Sequence, residues 1–128
     1  MAHVSDLIGK TMVSVTRGEY MDSDALTFTT DDGARYRLFH AQSCCESVTI
    51  EDIAGDLEDL VGSPLVMAEE VSGVPPFPRL ATLPEQESET WTFYKFATVK
   101  GYVTVRWYGT SNGYYSESVD FIGPLLNL

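Results

Sequence analysis

Apolar and β-branched residues recur at alternate positions through much of the chain, and that period predicts strands. Met12-Val13-Ser14-Val15 alternates and is β-branched. Ala25 to Thr30 alternates with Leu26 and Phe28 on one face, Asp31-Asp32-Gly33 follows as a turn, and Arg35 to Phe39 returns. A glycine that can take positive φ suits such a hairpin. Val48-Thr49-Ile50 predicts a short strand, and Leu65-Val66-Met67-Ala68 a buried one. Trp91 to Thr98 is rich in aromatics on both faces, which leaves its register open. Lys100-Gly101 turns the chain into Tyr102 to Tyr108, and the cluster from Gly109 to Gly113 turns it again into a last strand, Tyr114 to Phe121. Gly123-Pro124 reads as the end of the domain.

One stretch departs from the period of two. Ile53, Leu57, Leu60 and Val61 fall at helical spacing, with Asp52, Asp56, Glu58 and Asp59 mostly on the other side and Gly62 and Pro64 as stops. A glycine inside a helix costs about 1 kcal/mol relative to alanine, so Gly55 points to close backbone packing there. Residues 72–89 form the one long loop, with Pro75, Pro76, Pro78 and Pro84 and then Glu85, Glu87 and Glu89; the acidic half is expected to be mobile. The elements sum to a mainly β single domain over residues 1–128 with one short helix. Strand and helix do not alternate as they would around a parallel sheet. The expected architecture is antiparallel: a strongly curved sheet, or a small barrel or sandwich, with the helix over an opening or edge.

Charge changes the picture. Of the 19 acids and 8 basic side chains, eleven acids and only Arg79 fall in residues 41–94. A field of that sign repels phosphates and anionic membranes and attracts basic surfaces. It predicts no direct nucleic acid binding and no membrane association. No apolar run approaches the roughly 20 residues of a spanning helix. Residues 1–6 show neither the basic nor the apolar region of a secretory signal. The expected location is the cytoplasm.

Candidate chemistry is sparse. In the last predicted hairpin Tyr108 would pair with Tyr114, so Tyr102, Thr104, Arg106, Tyr108, Tyr114, Ser116 and Ser118 would share one face. Val103, Val105, Trp107, Tyr115, Val119 and Phe121 would make the other, with Glu117 as the exception. Tyrosine and arginine combine stacking, area and hydrogen bonding. With Asn112 this face is a candidate ligand site, against the plainer reading of a solvated sheet face. His40, Cys44, Cys45 and Glu46 carry metal-ligand chemistry, but zinc motifs space their cysteines two to four residues apart. No metal site or cofactor is predicted. A disulfide between neighbouring residues would close an eight-membered ring, and the expected arrangement is one buried thiol beside one exposed thiol. The carboxylates Glu51, Asp52, Asp56, Glu58 and Asp59 cluster on and before the predicted helix, where a polar face explains them without acid–base chemistry. No nucleophile elbow and no phosphate-binding glycine loop is present, so an enzyme is not the expected class.

Several runs together resemble a known family. They are Cys44-Cys45-Glu46; Ile50 to Ile53 with Gly55, Asp56, Leu57, Asp59, Leu60, Gly62 and Pro64; Ala68-Glu69-Glu70; Trp91 to Phe96; Lys100-Gly101; and Arg106, Trp107, Gly109 and Ser111 to Ser116. They resemble small phage and actinobacterial proteins grouped as a domain of unknown function, from Leu7 to Phe121. The resemblance implies a phage or prophage origin and transfers no catalytic residue. Ala54 stands where the resemblance leads one to expect a cysteine, which counts further against a metal site. Three functions follow as expectations. The first is a non-enzymatic accessory protein that binds and inhibits a host factor, such as a defence component, through an acidic surface of Asp52, Asp56, Glu58, Asp59, Glu69 and Glu70. The second is an oligomeric sponge for a small-molecule nucleotide signal, held by Tyr102, Arg106, Tyr108, Asn112 and Tyr114. The third is a virion or assembly component. Two-sided apolarity at Trp91 to Thr98 also fits a homo-oligomer interface.

Overall fold

The computed structural model describes residues 2–73, 88–112 and 116–125. Eight strands run in chain order: β1 (Met12–Tyr20), β2 (Ser23–Thr30), β3 (Arg35–Phe39), β4 (Ser47–Ala54), β5 (Met67–Gly73), β6 (Ser88–Thr98), β7 (Gly101–Ser111) and β8 (Asp120–Leu125). They form two antiparallel four-stranded sheets, ordered β1-β2-β3-β8 and β4-β7-β6-β5. The sheets pack face to face without closing into a barrel, which makes the sandwich the realised form among the expected ones.

The period of two explains the core. Leu26 and Phe28 of β2, Tyr36 and Leu38 of β3, Tyr94 and Phe96 of β6 and Val103, Val105 and Trp107 of β7 all point inward into one apolar cluster. Phe28 meets Phe96 across the two sheets at 5.1 Å between ring centroids. The two-sided aromatic strand β6 is thereby resolved: Tyr94 and Phe96 are fully buried between the sheets. The β2–β3 hairpin forms at Asp31-Asp32-Gly33, and β6 turns into β7 with Thr98 opposite Gly101. A turn the sequence hid joins β1 to β2. Tyr20 pairs with Ser23, and Met21 and Asp22 both take positive φ, as a two-residue type I′ turn requires.

Three expectations are corrected. The first is the helix over residues 53–61. Residues 47–54 are strand β4, and only Leu57–Leu60 coil, as one 3-10 turn. The cause is a bulge. Val48 and Ile50 face the core, the register against β7 shifts between Ile50 and Asp52, and Ile53 packs inward again. An extra residue in a strand turns a spacing of two into three, which imitates a helical period. Gly55 then excludes a helix outright. Its φ is +108°, and a Cβ there would lie 2.5 Å from the Tyr102 carbonyl oxygen of β7.

The second correction concerns the last strand. Residues 116–119 carry no strand, and β8 pairs with β3 of the opposite sheet instead of with β7. Glu117, the charged exception on the expected apolar face, sits against Gly109, where a Cβ would come within 2.9 Å of its own Cβ. The chain then crosses sheets. Phe121 stacks on Tyr36 at 5.6 Å, Ala41 N–H donates to Asp120, and the Ser118 carbonyl contacts the His40 ring. Third, Gly123 and Pro124 are not an irregular tail but belong to β8. Strand β5 also begins later than expected, at Met67, with Leu65 buried before it. Most of the expected 72–89 loop lies outside the described residues.

Candidate functional site

The acidic residues singled out in the sequence do not gather into one patch. Asp52 lies on β4 and Glu69 and Glu70 on β5, which are opposite edges of the same sheet. Asp56, Glu58 and Asp59 sit at the 3-10 turn beside the β6–β7 hairpin. There Asp56 accepts the Glu58 N–H at 3.0 Å, as an N-cap. The Asp59 carbonyl accepts the Thr98 hydroxyl, and Lys100 donates to the Val61 carbonyl. A cation therefore stands within that group of acids. Asp52 faces Arg106 in register.

The outer face of the β4-β7-β6-β5 sheet carries the arginine and tyrosine residues. Tyr102, Arg106 and Tyr108 do share one face of β7, opposite buried Val103, Val105 and Trp107. Asn112 follows the end of β7, while Tyr114, and with it the expected pairing with Tyr108, lies outside the described residues. The partner of Tyr108 is Trp91 of β6, with ring centroids 4.6 Å apart. The Arg106 guanidinium lies 5.5 Å from the Trp91 ring and is ion-paired with Glu51. That hydrogen bond raises the Arg106 pKa. The Tyr108 hydroxyl donates to Glu89 at 2.7 Å. Trp91, Glu51 and Glu89 were not expected on this face. The structure puts the tight turn at Val99-Lys100, one residue before the expected Lys100-Gly101, so that Thr98 lies opposite Gly101 and Trp91 opposite Tyr108; the expected turn would have set Trp91 opposite Thr110. Arg106 is engaged with a carboxylate, which weakens it as a phosphate ligand.

A groove runs along the facing edges of the two sheets. Its wider part, about 780 Å³, is lined by residues 2–5, by Ala68, Glu69 and Glu70 of β5, and by residues 119–123. A second cleft of about 290 Å³ adjoins it, sharing Glu70 and Val119 and adding Tyr94, Thr90 and Glu117. The Tyr94 hydroxyl donates to Glu70 at 2.6 Å. Burial, then the Glu70 carboxylate, pushes the Tyr94 phenol far above its ordinary pKa, so it stays a donor. Glu117 accepts from Thr90 at 2.8 Å and from Ser111. Four acids, Glu69, Glu70, Glu117 and Asp120, thus line one continuous groove, and no lysine or arginine is among its described lining residues. Glu117 and Asp120 were not expected to belong with Glu69 and Glu70, because the sheet crossing that brings them there is a tertiary event.

The His40 loop is built around a carboxylate. His40 is 1% exposed and Glu46 4% exposed. Glu46 accepts the N–H groups of Ser43 at 2.8 Å and Cys44 at 2.9 Å, and contacts His40 Nε2 at 2.7 Å. These backbone donors, opposed by desolvation and helped by His40, hold its pKa down to about 2. Cys44 and Cys45 are joined as a disulfide, and both are exposed. The expected pair of thiols, one buried and one exposed, is therefore not what forms. The loop 41–46 is short and irregular, so it can turn both sulfurs the same way.

The fold and these surfaces define a class: a two-sheet antiparallel β-sandwich with an acidic groove along its open edges. The chain belongs to the DUF7448 family, a domain of unknown function, whose sequence model matches residues 5–121. No curated protein and no solved structure matches the chain. No helix among the described residues is long and apolar enough to cross a membrane.

Proposed function

We propose that this protein is a non-enzymatic binding module that docks on a basic surface of a partner protein and blocks it. The groove carries this reading: four carboxylates line it, and no cation among the described lining residues dilutes their field. Exposed Glu69 and Glu70 extend that field onto the sheet edge, and Asp52, Asp56, Glu58 and Asp59 add to the overall negative potential. A protein so charged competes for surfaces that hold DNA or RNA. The resemblance to phage proteins supports a phage-encoded inhibitor of a host factor, with a defence component as its target, acting in the host cytoplasm.

The test is capture from host lysate on immobilised protein, eluted with rising salt. A partner should elute as ionic strength rises, and Glu69→Gln/Glu70→Gln should fail to retain it. Elution indifferent to salt, or equal capture by that variant and by Asp56→Asn/Glu58→Gln/Asp59→Asn, would overturn the proposal. The Trp91, Arg106 and Tyr108 cluster supports a second reading, a sponge for a nucleotide-type ligand stacked on the sheet. Native mass spectrometry of the protein as purified from cells decides it. An oligomer with added mass of nucleotide size would support the sponge, and a bare monomer would remove it.

A further inference from the structure

The two sheets leave four edge strands, β1, β4, β5 and β8, and an open edge is a template for another strand. Native edges are commonly blunted by bulges, prolines or lysines. Strand β1 has a register break between Met12 and Ser14, and β4 has one between Ile50 and Asp52. Strand β8 contains Pro124, which has no N–H to give, and meets β3 with a break between Arg35 and Arg37. Strand β5 has no bulge, proline or lysine; the 3-10 turn Val4–Leu7 packs against it and Ile8 pairs with Leu65 just before it, which leaves the rest of its edge open. Its seven residues pair with β6 in unbroken register from Met67↔Ala97 to Gly73↔Trp91. Among the described residues β6 is its one hydrogen-bonded neighbour.

We infer that β5 is a docking edge that takes up an extended, basic segment of a partner protein as an added strand lying in the groove. Alternation along β5 sets the chemistry of the incoming side chains. Ala68 and Glu70 face the groove, where Glu117 and Asp120 add negative charge and Val4, Val119 and Phe121 add apolar surface. A lysine or arginine on that side meets Glu70, held in place by Tyr94. On the other face of β5 lie Val71, 47% exposed, and Glu69, which still reaches the wider part of the groove at the strand edge. A second copy of this chain is a poor occupant. Full antiparallel pairing of β5 with itself would set Glu70 directly against its own copy, and like charges directly opposite are destabilising. The acids therefore guard the edge against self-association while admitting a cationic strand. A seven-residue strand spans about 23 Å, so an octapeptide covers it.

This inference rests on the proposed acidic docking function, and the test separates the two. The probe is an acetylated octapeptide of alternating lysine and valine, titrated calorimetrically into the intact protein. Two further peptides carry N-methyl groups on all lysines or on all valines, keeping the charge but removing one edge of hydrogen-bond donors. The parent should bind, and at least one methylated peptide should bind tenfold or more weakly. Glu70→Gln should weaken the parent several-fold, and an alternating glutamate–valine peptide should not bind. Equal binding by all three lysine peptides, with salt still weakening it, would overturn strand addition and leave acidic docking standing. No binding by any of them, together with salt-indifferent lysate capture, would overturn both. A dimer in analytical ultracentrifugation whose β5 amides gain exchange protection would overturn the choice of occupant.

Discussion

Replacing Gly55 by alanine tests the fold where sequence and structure disagree most. In a helix over residues 53–61 that change would stabilise by about 1 kcal/mol. In the structure it does the opposite, for two separable reasons. A residue with a Cβ at positive φ costs about 1–2 kcal/mol, and Gly55 sits at φ +108°. The Cβ would also lie 2.5 Å from the Tyr102 carbonyl oxygen and 3.2 Å from Val103 Cα, against an ordinary C···O contact of about 3.3 Å. Both atoms are backbone of β7, which is hydrogen-bonded to β4 and β6 on its two sides. Relief requires moving a ladder strand, and overpacking of that kind adds about 1–3 kcal/mol. The sum is about 2–5 kcal/mol. Gly33 isolates the first term, because its φ is +88° and nothing lies within 4 Å of its Cβ position; Gly33→Ala should cost about 1–2 kcal/mol. Gly18 on β1 has neither feature, so Gly18→Ala should be neutral or slightly stabilising. Urea unfolding followed by tryptophan fluorescence reads all three. With a slope of about 2 kcal/mol/M, the Gly55→Ala midpoint should fall by roughly 1–2.5 M and that of Gly33→Ala by roughly 0.5–1 M. A Gly55→Ala midpoint equal to that of Gly33→Ala would refute the close approach of β4 to β7. A raised midpoint would restore the helix.

Other outcomes follow from the same structure. The folded-state pKa of Glu46, about 2, lies below its ordinary value of 4.5, so the unfolded chain binds that proton more readily. Its contribution is complete above about pH 4.5 and is lost as pH falls toward 2. Urea midpoints across that range should decline, and Glu46→Gln should flatten the decline; an unchanged slope in the variant would contradict the loop geometry. Phe28 is fully buried against Phe96. Phe28→Ala should destabilise by about 3–5 kcal/mol, while Val71→Ala on the exposed edge should stay within about 0.5 kcal/mol, both by urea unfolding. Arg106 and Glu51 are each more than a third exposed, so Arg106→Ala should change stability by less than about 1 kcal/mol; a larger loss in a melting experiment would show that the outer face is structural.

The sequence by itself determined the class of fold, because alternation is local: Leu26 and Phe28, or Val103, Val105 and Trp107, declare their faces within a few residues. It determined the β2–β3 and β6–β7 hairpins, whose turns close over short distances. The shared face of Tyr102, Arg106 and Tyr108 was legible for the same reason. Tertiary structure decided the rest. The β4 bulge reads as a helix until β7 lies beside it, since only the partner strand shows that Glu51 is the extra residue. The type I′ turn at Met21-Asp22 lacks the asparagine or glycine that announces one, and the pairing of its flanking strands holds it in place. The crossing of residues 116–120 to the other sheet depends on Gly109 admitting Glu117, on His40 and on Asp120, groups far apart in the chain. That crossing brings Glu117 and Asp120 to Glu69 and Glu70. The groove exists because two sheets end side by side there, a relation between distant strands that no local pattern encodes.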